Sequence, residues 1–335
     1  MRHFVFVMLI IFISCSENKK EVDLSTDYFR FKNSYWINLH HFLYQKADSS
    51  QLRNLQEDNL KFIEVGEADI FAKLSQTEEE VLNQAVRYYK DSLKDKSLRR
   101  DLSNLRNWFQ HQEKLKVLTD TTYGKKFIEV INRVSPIYDK YFWEIHKGHN
   151  LSVLAMHIKT LDEIEEEVIN KMERFSLNKW PDSFKVRVDI TTYANWAGGY
   201  TASKPEMNVV ISTLAPTNLT SSFIETILHE GSHLLYLFGE SPVRDKIYYK
   251  SEELGMEFPR NLWHASMFYL SGRATQEALS KKDMKHKLLI DEKNIFQNYL
   301  TPKLRTINEK YYRSSLNVDS MVVKLLTEIK TTNDV

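Results

Sequence analysis

The chain is poor in the residues that break or cross-link a fold. Its 335 residues include one cysteine, nine glycines and seven prolines. A single cysteine excludes an intramolecular disulfide, so the fold must be held together by its hydrophobic core. Scarce helix breakers and long stretches of helical periodicity predict a mainly helical protein.

A marked excess of charge is also missing. The formal net charge is +1. Nucleic-acid-binding proteins carry an excess of basic residues, so we expect no nucleic-acid partner. Hydrophobic residues make up 42% of the chain, enough for one large core or two smaller ones.

The one long apolar run stands at the N-terminus. Residues 4–13 follow a short basic start and are too few to span a bilayer as a mature helix, which is typical of a signal peptide. Ser14 and Cys15 come next, and a small residue before a cysteine resembles the lipobox of bacterial lipoproteins. The sequence thus predicts a signal peptide over residues 1–15, a lipid anchor at Cys15 and a polar tether over residues 16–26. The protein would then be membrane-attached in the bacterial cell envelope, periplasmic or surface-exposed; the alternative is an ordinary signal peptide with an incidental cysteine.

Periodicity separates the rest of the chain into two regions. Residues 27–180 carry mostly helical patterns, among them a stretch from Asp27 to about Tyr44 and a capping box that starts at Thr77. A longer helical stretch is predicted to be interrupted or kinked at Pro136. Residues 181–335 are expected to form a catalytic region that ends in further helices.

The second region begins with strand-like patterns. Residues 186–190 alternate between apolar and polar side chains, and residues 207–211 form a short apolar run. Helical patterns resume at Ser222. The predicted fold is therefore α+β, predominantly α-helical with a small β-sheet beside one distinctive helix.

That helix contains the sequence His-Glu-Gly-Ser-His at residues 229–233. Residues four apart lie on one helix face, so His229 and His233 can bind one metal ion, for which we expect Zn²⁺. Glu230 lies beside the first histidine, where its carboxylate can act as general base on a metal-bound water. A capping box from Ser222 to Glu225 predicts the start of the helix, and Gly239 predicts its end.

Gly231 is unfavourable within this helix by about 1 kcal/mol relative to alanine. Its presence predicts that another backbone packs closely against this face.

A catalytic zinc site needs a third protein ligand. His264 lies in an apolar helical stripe, where a metal would satisfy its buried imidazole, and it is the favoured candidate. Glu253 is the alternative, because its distance from His233 resembles the thermolysin-like pattern, although it belongs to a charged segment. A histidine buried in the core without any metal is the remaining interpretation of His264.

Two further groups are weaker candidates. Tyr200 follows a Gly-Gly turn between the two predicted strands, where its hydroxyl could stabilise a developing oxyanion; ordinary packing is the alternative. His146 and His149 form an i, i+3 pair that we interpret as structural, with lining of the site as the less favoured alternative.

On these residues the chain resembles the zincin metallopeptidases, and more narrowly the gluzincin-like ones, through the HExxH segment. A wider set of segments resembles an uncharacterised bacterial family of HExxH-containing lipoproteins. These segments are residues 141–150, 195–201, 209–212, 229–233 and 262–272. The resemblance covers about residues 138–272 and implies a zincin-like fold, but it implies no particular substrate.

The leading hypothesis is a zinc-dependent hydrolase, foremost a metallopeptidase, that acts on a peptide or protein substrate. A zinc hydrolase acting on a non-peptide amide or ester is one alternative. A non-catalytic surface lipoprotein is the other. The oligomeric state stays open.

Overall fold

The computed structural model describes residues 24–47, 67, 69–195, 197–237 and 241–333. The predicted signal peptide, the lipid anchor at Cys15 and the predicted helix end at Gly239 lie outside these residues. The fold is α+β, mainly helical with a small mixed sheet, as the sequence predicts. None of the helices in the described part of the chain combines the length and apolar character needed to cross a membrane.

The sheet has five strands in the order β1-β2-β3-β5-β4. Their bounds are β1 Leu24–Ser25, β2 Phe29–Lys32, β3 Val186–Thr191, β4 Gly199–Ala202 and β5 Asn208–Ser212. Strands β2, β3 and β5 run parallel to one another, whereas β1 and β4 are antiparallel edge strands. Among the described residues, strand β4 therefore has one neighbour in the sheet, and its other edge makes no strand pairing.

One group of helices lies between β2 and β3 in the chain, and another follows β5. Their bounds are α1 Tyr35–Ala47, α2 Gln76–Ser92, α3 Ser103–His111, α4 Lys125–Tyr138, α5 Glu144–Ser176, α6 Ser222–Ser232, α7 Leu234–Leu237, α8 Pro242–Glu253, α9 Leu262–Ser280, α10 Leu289–Glu292, α11 Pro302–Tyr312 and α12 Val318–Asn333. A π-helical turn, Asp139–Trp143, joins α4 to α5. It begins three residues after Pro136, which lies inside α4 and is the position where the sequence predicts an interruption or kink.

Two hydrophobic cores lie on opposite faces of the sheet. Helices α1 to α4 pack around one core, to which Tyr200 and Val210 of the sheet contribute. Helices α5, α6 and α9 pack with the C-terminal helices around the other core, which covers Val188, Val209 and Ile211. The helix with the HExxH segment thus lies on the second face, against β4 and β5.

The sequence prediction was wrong at the start of the first helix. Residues 29–32 form β2 instead, with Phe29 and Phe31 buried on one face of the sheet and paired with β3. Helix α1 begins only at Tyr35. The four-residue strand is too short for its period of two to stand out beside the helical pattern that follows it.

Both predicted capping boxes need correction. The first exists two residues earlier than predicted, with Ser75 rather than Thr77 as the N-cap and Glu78 as its partner. In α6 there is no capping box, because Glu225 faces the protein interior and bonds to His286. The Ser222 hydroxyl instead donates to Glu292.

Candidate metal centre

Three histidines converge beside the sheet. His229 lies in α6, His233 immediately follows the end of that helix, and His264 lies in the first turn of α9. One ring nitrogen from each lies within 4.8 Å of those of the other two. The structure therefore brings together the two motif histidines and the favoured third candidate.

The spacing suits a small metal ion. The Nε2 atoms of His229 and His264 lie 3.4 Å apart. Nitrogen atoms bound tetrahedrally to zinc, at about 2.0–2.1 Å each, lie roughly 3.3 Å from one another. Three imidazoles and one free position form the donor set typical of a catalytic zinc site, so His229, His233 and His264 could hold this ion.

Helix packing fixes the orientation of the rings. The ring of His229 stacks on Phe268 of α9 with centroids 3.9 Å apart, and its Nδ1 lies 3.5 Å from the Ser271 hydroxyl. The ring of Trp263 stacks on that of His264 at 5.3 Å. All these contacts come from α9, which packs along α6. Docking of α9 thus positions both the third imidazole and the first.

The histidines are held in the form that binds metal. Burial lowers the pKa of His229 and His233 well below the usual value, and the neighbouring imidazoles lower it further. Burial lowers the pKa of His264 to about 4, with a further contribution from Arg99. Neutral imidazoles have a lone pair to donate to a metal, as protonated ones do not.

The two ring nitrogens of His233 have different surroundings. Nδ1 of His233 is buried and has no hydrogen-bond partner among the described residues. Its Nε2 lies 3.7 Å from a carboxylate oxygen of Glu230. The Nε2 atom is therefore the one directed toward the other two imidazoles and the carboxylate.

Glu230 faces the same space and contacts the edge strand. The Thr201 hydroxyl in β4 lies 2.6 Å from Oε2 and 2.8 Å from the backbone oxygen of Glu230. Burial raises the pKa of Glu230, while the hydrogen bond from Thr201 and the charges of Lys293 and Arg99 oppose this effect. A carboxylate with these partners can take up and return a proton near neutral pH more readily than an exposed one.

The three imidazoles and Glu230 form one wall of an open cleft of about 530 Å³. The edge strand β4 and the apolar residues Phe268, Ile295 and Phe296 form further walls. The loop of residues 94–101 closes the opposite side. A cleft of this size, with a few polar groups converging on one point, is typical of a substrate-binding site.

Gly231 faces away from the cleft. The prediction that another backbone packs closely against it was wrong. A Cβ atom at this position would lie 2.7 Å from Cε1 of Phe29, so a buried aromatic ring approaches here rather than a backbone. The absence of a side chain leaves room for the ring of Phe29 against α6.

A buried hydrogen-bond network joins α6 to the segment before α10. The Glu225 carboxylate lies 2.6 Å from Nε2 of His286 and accepts the backbone N–H of Leu289. Gly272 of α9 leaves room for it, because a Cβ there would lie 2.6 Å from Oε1 of Glu225. Sequence reasoning missed this pair, since Glu225 had the spacing of a capping box and His286 lies 61 residues away.

Lys293 is another residue that the sequence analysis did not single out. Its ammonium donates to the backbone oxygen of Ala197, in the loop that leads into β4. Burial lowers the pKa of Lys293 to about 8, and the carboxylate of Glu230 opposes this effect. The residue ties α10 to the edge strand and adds a positive charge near the site. Its position in a Lys-rich, polar stretch gave no signal in the sequence.

Tyr200 is not placed as an oxyanion donor would be. Its hydroxyl lies 2.9 Å from Nε2 of His41, and its ring belongs to the core on the other face of the sheet. Successive residues of a strand point to opposite faces, so the contact of Thr201 with Glu230 directs the Tyr200 ring away from the imidazoles. The Tyr200 hydroxyl therefore faces His41 and not the three imidazoles.

The remaining candidates lie apart from the three imidazoles. Glu253 is exposed at the end of α8, pairs with Lys250 and does not join the histidine group. His146 bonds to Tyr138 and Glu67 inside the core of the N-terminal helices. His149 bonds to the backbone oxygen of Thr213, which fits the structural role predicted for this pair.

Comparison with protein-family models, with curated protein sequences and with solved structures found no match.

Proposed function

We propose that this protein is a zinc-dependent hydrolase, foremost a metallopeptidase of zincin-like fold, anchored in the bacterial cell envelope through Cys15. The observation that carries the proposal is the convergence of His229, His233 and His264 with the Glu230 carboxylate on one wall of an open cleft. The anchor rests on the N-terminal sequence alone.

In this proposal the three histidines would hold the ion. Zinc, when bound, supplies Lewis acidity that lowers the pKa of water and polarises a carbonyl group. Glu230 accepts a proton from the attacking water and returns it to the leaving amine. Thr201 holds the Glu230 carboxylate through its hydroxyl, which restricts the direction in which that proton moves.

The edge strand supports a peptide as the substrate. Strand β4 pairs with β5 along one side only, and Gly199, Tyr200 and Thr201 line the cleft. An extended peptide can add to such an edge through backbone hydrogen bonds, which would carry its carbonyl groups past Thr201 and Glu230. A non-peptide substrate would make no use of that edge.

The first test is metal content. The protein is purified from residue 16 without added metal, and bound zinc is measured by elemental mass spectrometry beside a His233→Ala variant. We expect about one zinc per chain, lost in the variant, because three neutral imidazoles with a free fourth position form the donor set of a catalytic zinc site. Absence of zinc after dialysis against micromolar zinc would overturn the proposal.

The second test is turnover. A peptide library is incubated with the zinc-loaded protein and with Glu230→Gln, which keeps the size of the side chain but removes the base. We expect the variant to retain zinc and to lose about 10²–10⁴-fold in rate. Equal rates in the two proteins would refute the mechanism, and zinc binding with no cleavage of any peptide would leave a non-peptidase metal protein.

A further inference from the structure

A second cavity opens beside the three histidines. It has a volume of about 460 Å³ and shares Thr201, His233 and His264 with the main cleft. The charged residues that line it, apart from histidine, are Arg99, Arg100 and Lys204. No aspartate or glutamate stands among its lining residues, so this side of the cleft is cationic. We call these three cations the basic subsite.

The loop that carries the two arginines is fixed to the fold. The Tyr44 hydroxyl of α1 lies 3.0 and 2.9 Å from the backbone oxygens of Lys94 and Lys96. The Asp101 carboxylate accepts the backbone N–H of Ser97, and Leu98 is buried in the core of the N-terminal helices. The arginines therefore extend from an anchored backbone at the rim of the cleft.

The cations of the basic subsite have no acidic partner in the part of the chain that the structure describes. In the described ranges of the chain, no ion pair involves Arg99, Arg100 or Lys204. Arg99 also lines the main cleft, as do His233 and His264. Like charges held together without a partner favour an anionic ligand between them.

We infer that the basic subsite binds a carboxylate of the substrate close to the bond that is cleaved, so that the protein acts on acidic peptides. The inference rests on the proposed function, which supplies the peptide and its position along β4. Lys204 follows β4 by two residues, so a peptide paired with that strand reaches the basic subsite at the Ala202 end. The carboxylate can belong to an aspartate or glutamate side chain or to the free C-terminus.

Binding is measured by calorimetry, separately from turnover. The ligands are blocked hexapeptides with glutamate or glutamine at one position each, and one further pair that differs in a free or amidated C-terminus. They are titrated into full-length zinc-loaded Glu230→Gln and into full-length metal-free wild-type protein, so that the result does not depend on one variant or on the metal. We expect a peptide with glutamate at one position, or with a free C-terminus, to bind about tenfold more tightly than its neutral counterpart. This ratio corresponds to about 1.4 kcal/mol in binding free energy.

Neutralising the basic subsite should remove that preference. Arg100→Gln and Lys204→Gln should each reduce the preference about two- to fivefold, which is the range for exposed charge pairs. Lys285→Gln is the matched control, because this lysine is exposed on the polar stretch after α9 and does not line either cavity. The preference should also shrink between 50 and 300 mM salt, since screening weakens exposed charge pairs.

The outcomes separate the two proposals. Equal binding of every glutamate and glutamine pair and of both C-termini, or a preference that survives the triple variant Arg99→Gln/Arg100→Gln/Lys204→Gln, would overturn the inference. Cleavage of peptides that lack any carboxylate as fast as of those that carry one would also overturn it, while the proposed hydrolase would stand. A carboxylate preference in binding without any cleavage would support the basic subsite and count against the peptidase.

Discussion

The hydroxyl of Thr201 lies 2.6 Å from a carboxylate oxygen of Glu230 and so joins the edge strand β4 to the helix with the HExxH segment. It also lies 2.8 Å from the backbone oxygen of the same residue. The hydroxyl has one proton, and both acceptors belong to Glu230, so rotation of the hydroxyl leaves the pair in contact. Thr201 is thus a positioning residue for the proposed base.

Replacement of Thr201 by valine keeps the shape of the side chain and removes this hydrogen bond. We expect the rate of peptide hydrolysis to fall about tenfold, because a hydrogen bond to a charged group contributes roughly 1.5–3 kcal/mol. The acidic limb of the pH–rate profile should move to higher pH, since the hydrogen bond from Thr201 lowers the pKa of Glu230. Zinc content should not change.

Thr201→Ser is the matched control for that experiment. It restores the hydroxyl and should restore both the rate and the position of the acidic limb. A valine variant with an unchanged pH profile would assign Thr201 to the packing of β4 alone.

The identity of the third zinc ligand can be tested by comparing two variants. His264→Ala removes one of three converging imidazoles and should weaken zinc binding by more than the roughly 10–100-fold that loss of a ligand's hydrogen-bond partner costs. Glu253→Ala should leave zinc binding unchanged, because this side chain is exposed and pairs with Lys250. Affinities are measured by titration against a chelator of known zinc affinity. Full zinc retention by His264→Ala would remove it as a ligand.

Gly231→Ala should lower the free energy of unfolding although alanine favours a helix. The added Cβ would lie 2.7 Å from the ring of Phe29, which is fully buried. Overpacking of this kind costs about 1–3 kcal/mol. The gain in helix propensity is only about 1 kcal/mol. Urea denaturation of the two proteins gives the difference.

Gly148→Ala is the counterpart in α5. A Cβ there meets no atom within 4 Å, so the same substitution should stabilise the protein by about 0.5–1 kcal/mol. Stabilisation by both substitutions would show that α6 can move away from β2 without loss.

The stability of the protein should depend on pH through Glu165. Burial raises the pKa of this carboxyl from 4.5 to about 7, although it accepts the backbone N–H groups of Asp27 and Tyr28. The folded state therefore holds its proton more tightly than the unfolded state does. Its contribution to stability is complete below pH 4.5 and is lost as the pH rises from 4.5 to about 7.

Glu165→Gln should remove that part of the pH dependence, because the amide oxygen still accepts the same N–H groups but does not ionise. Glu166→Gln is the control, since Glu166 is the exposed neighbour on α5. The free energy of unfolding is measured at intervals between pH 4.5 and 8. Identical pH slopes for wild type and Glu165→Gln would show that Glu165 does not titrate in this range.

Local sequence was sufficient for the chemistry of the motif. The i, i+4 spacing of His229 and His233 and the adjacency of Glu230 follow from helix geometry alone, and a helical stripe around His264 marked it as buried. The alternation of residues 186–190 likewise predicts β3, which the structure contains. These features depend on neighbours a few residues apart, which is why a single sequence determines them.

Contacts between distant segments decided the rest. Residues 29–32 are a strand because they pair with β3, more than 150 residues away, and Glu225 is a hydrogen-bond partner of His286 because α6 and the segment before α10 meet. Packing of α9 on α6 brings His264 rather than Glu253 to the two motif histidines, and the pleat of β4 directs Thr201 to Glu230 and Tyr200 to His41. No local sequence pattern indicates any of these contacts, because the free energy that selects them comes from burial and pairing across the whole fold.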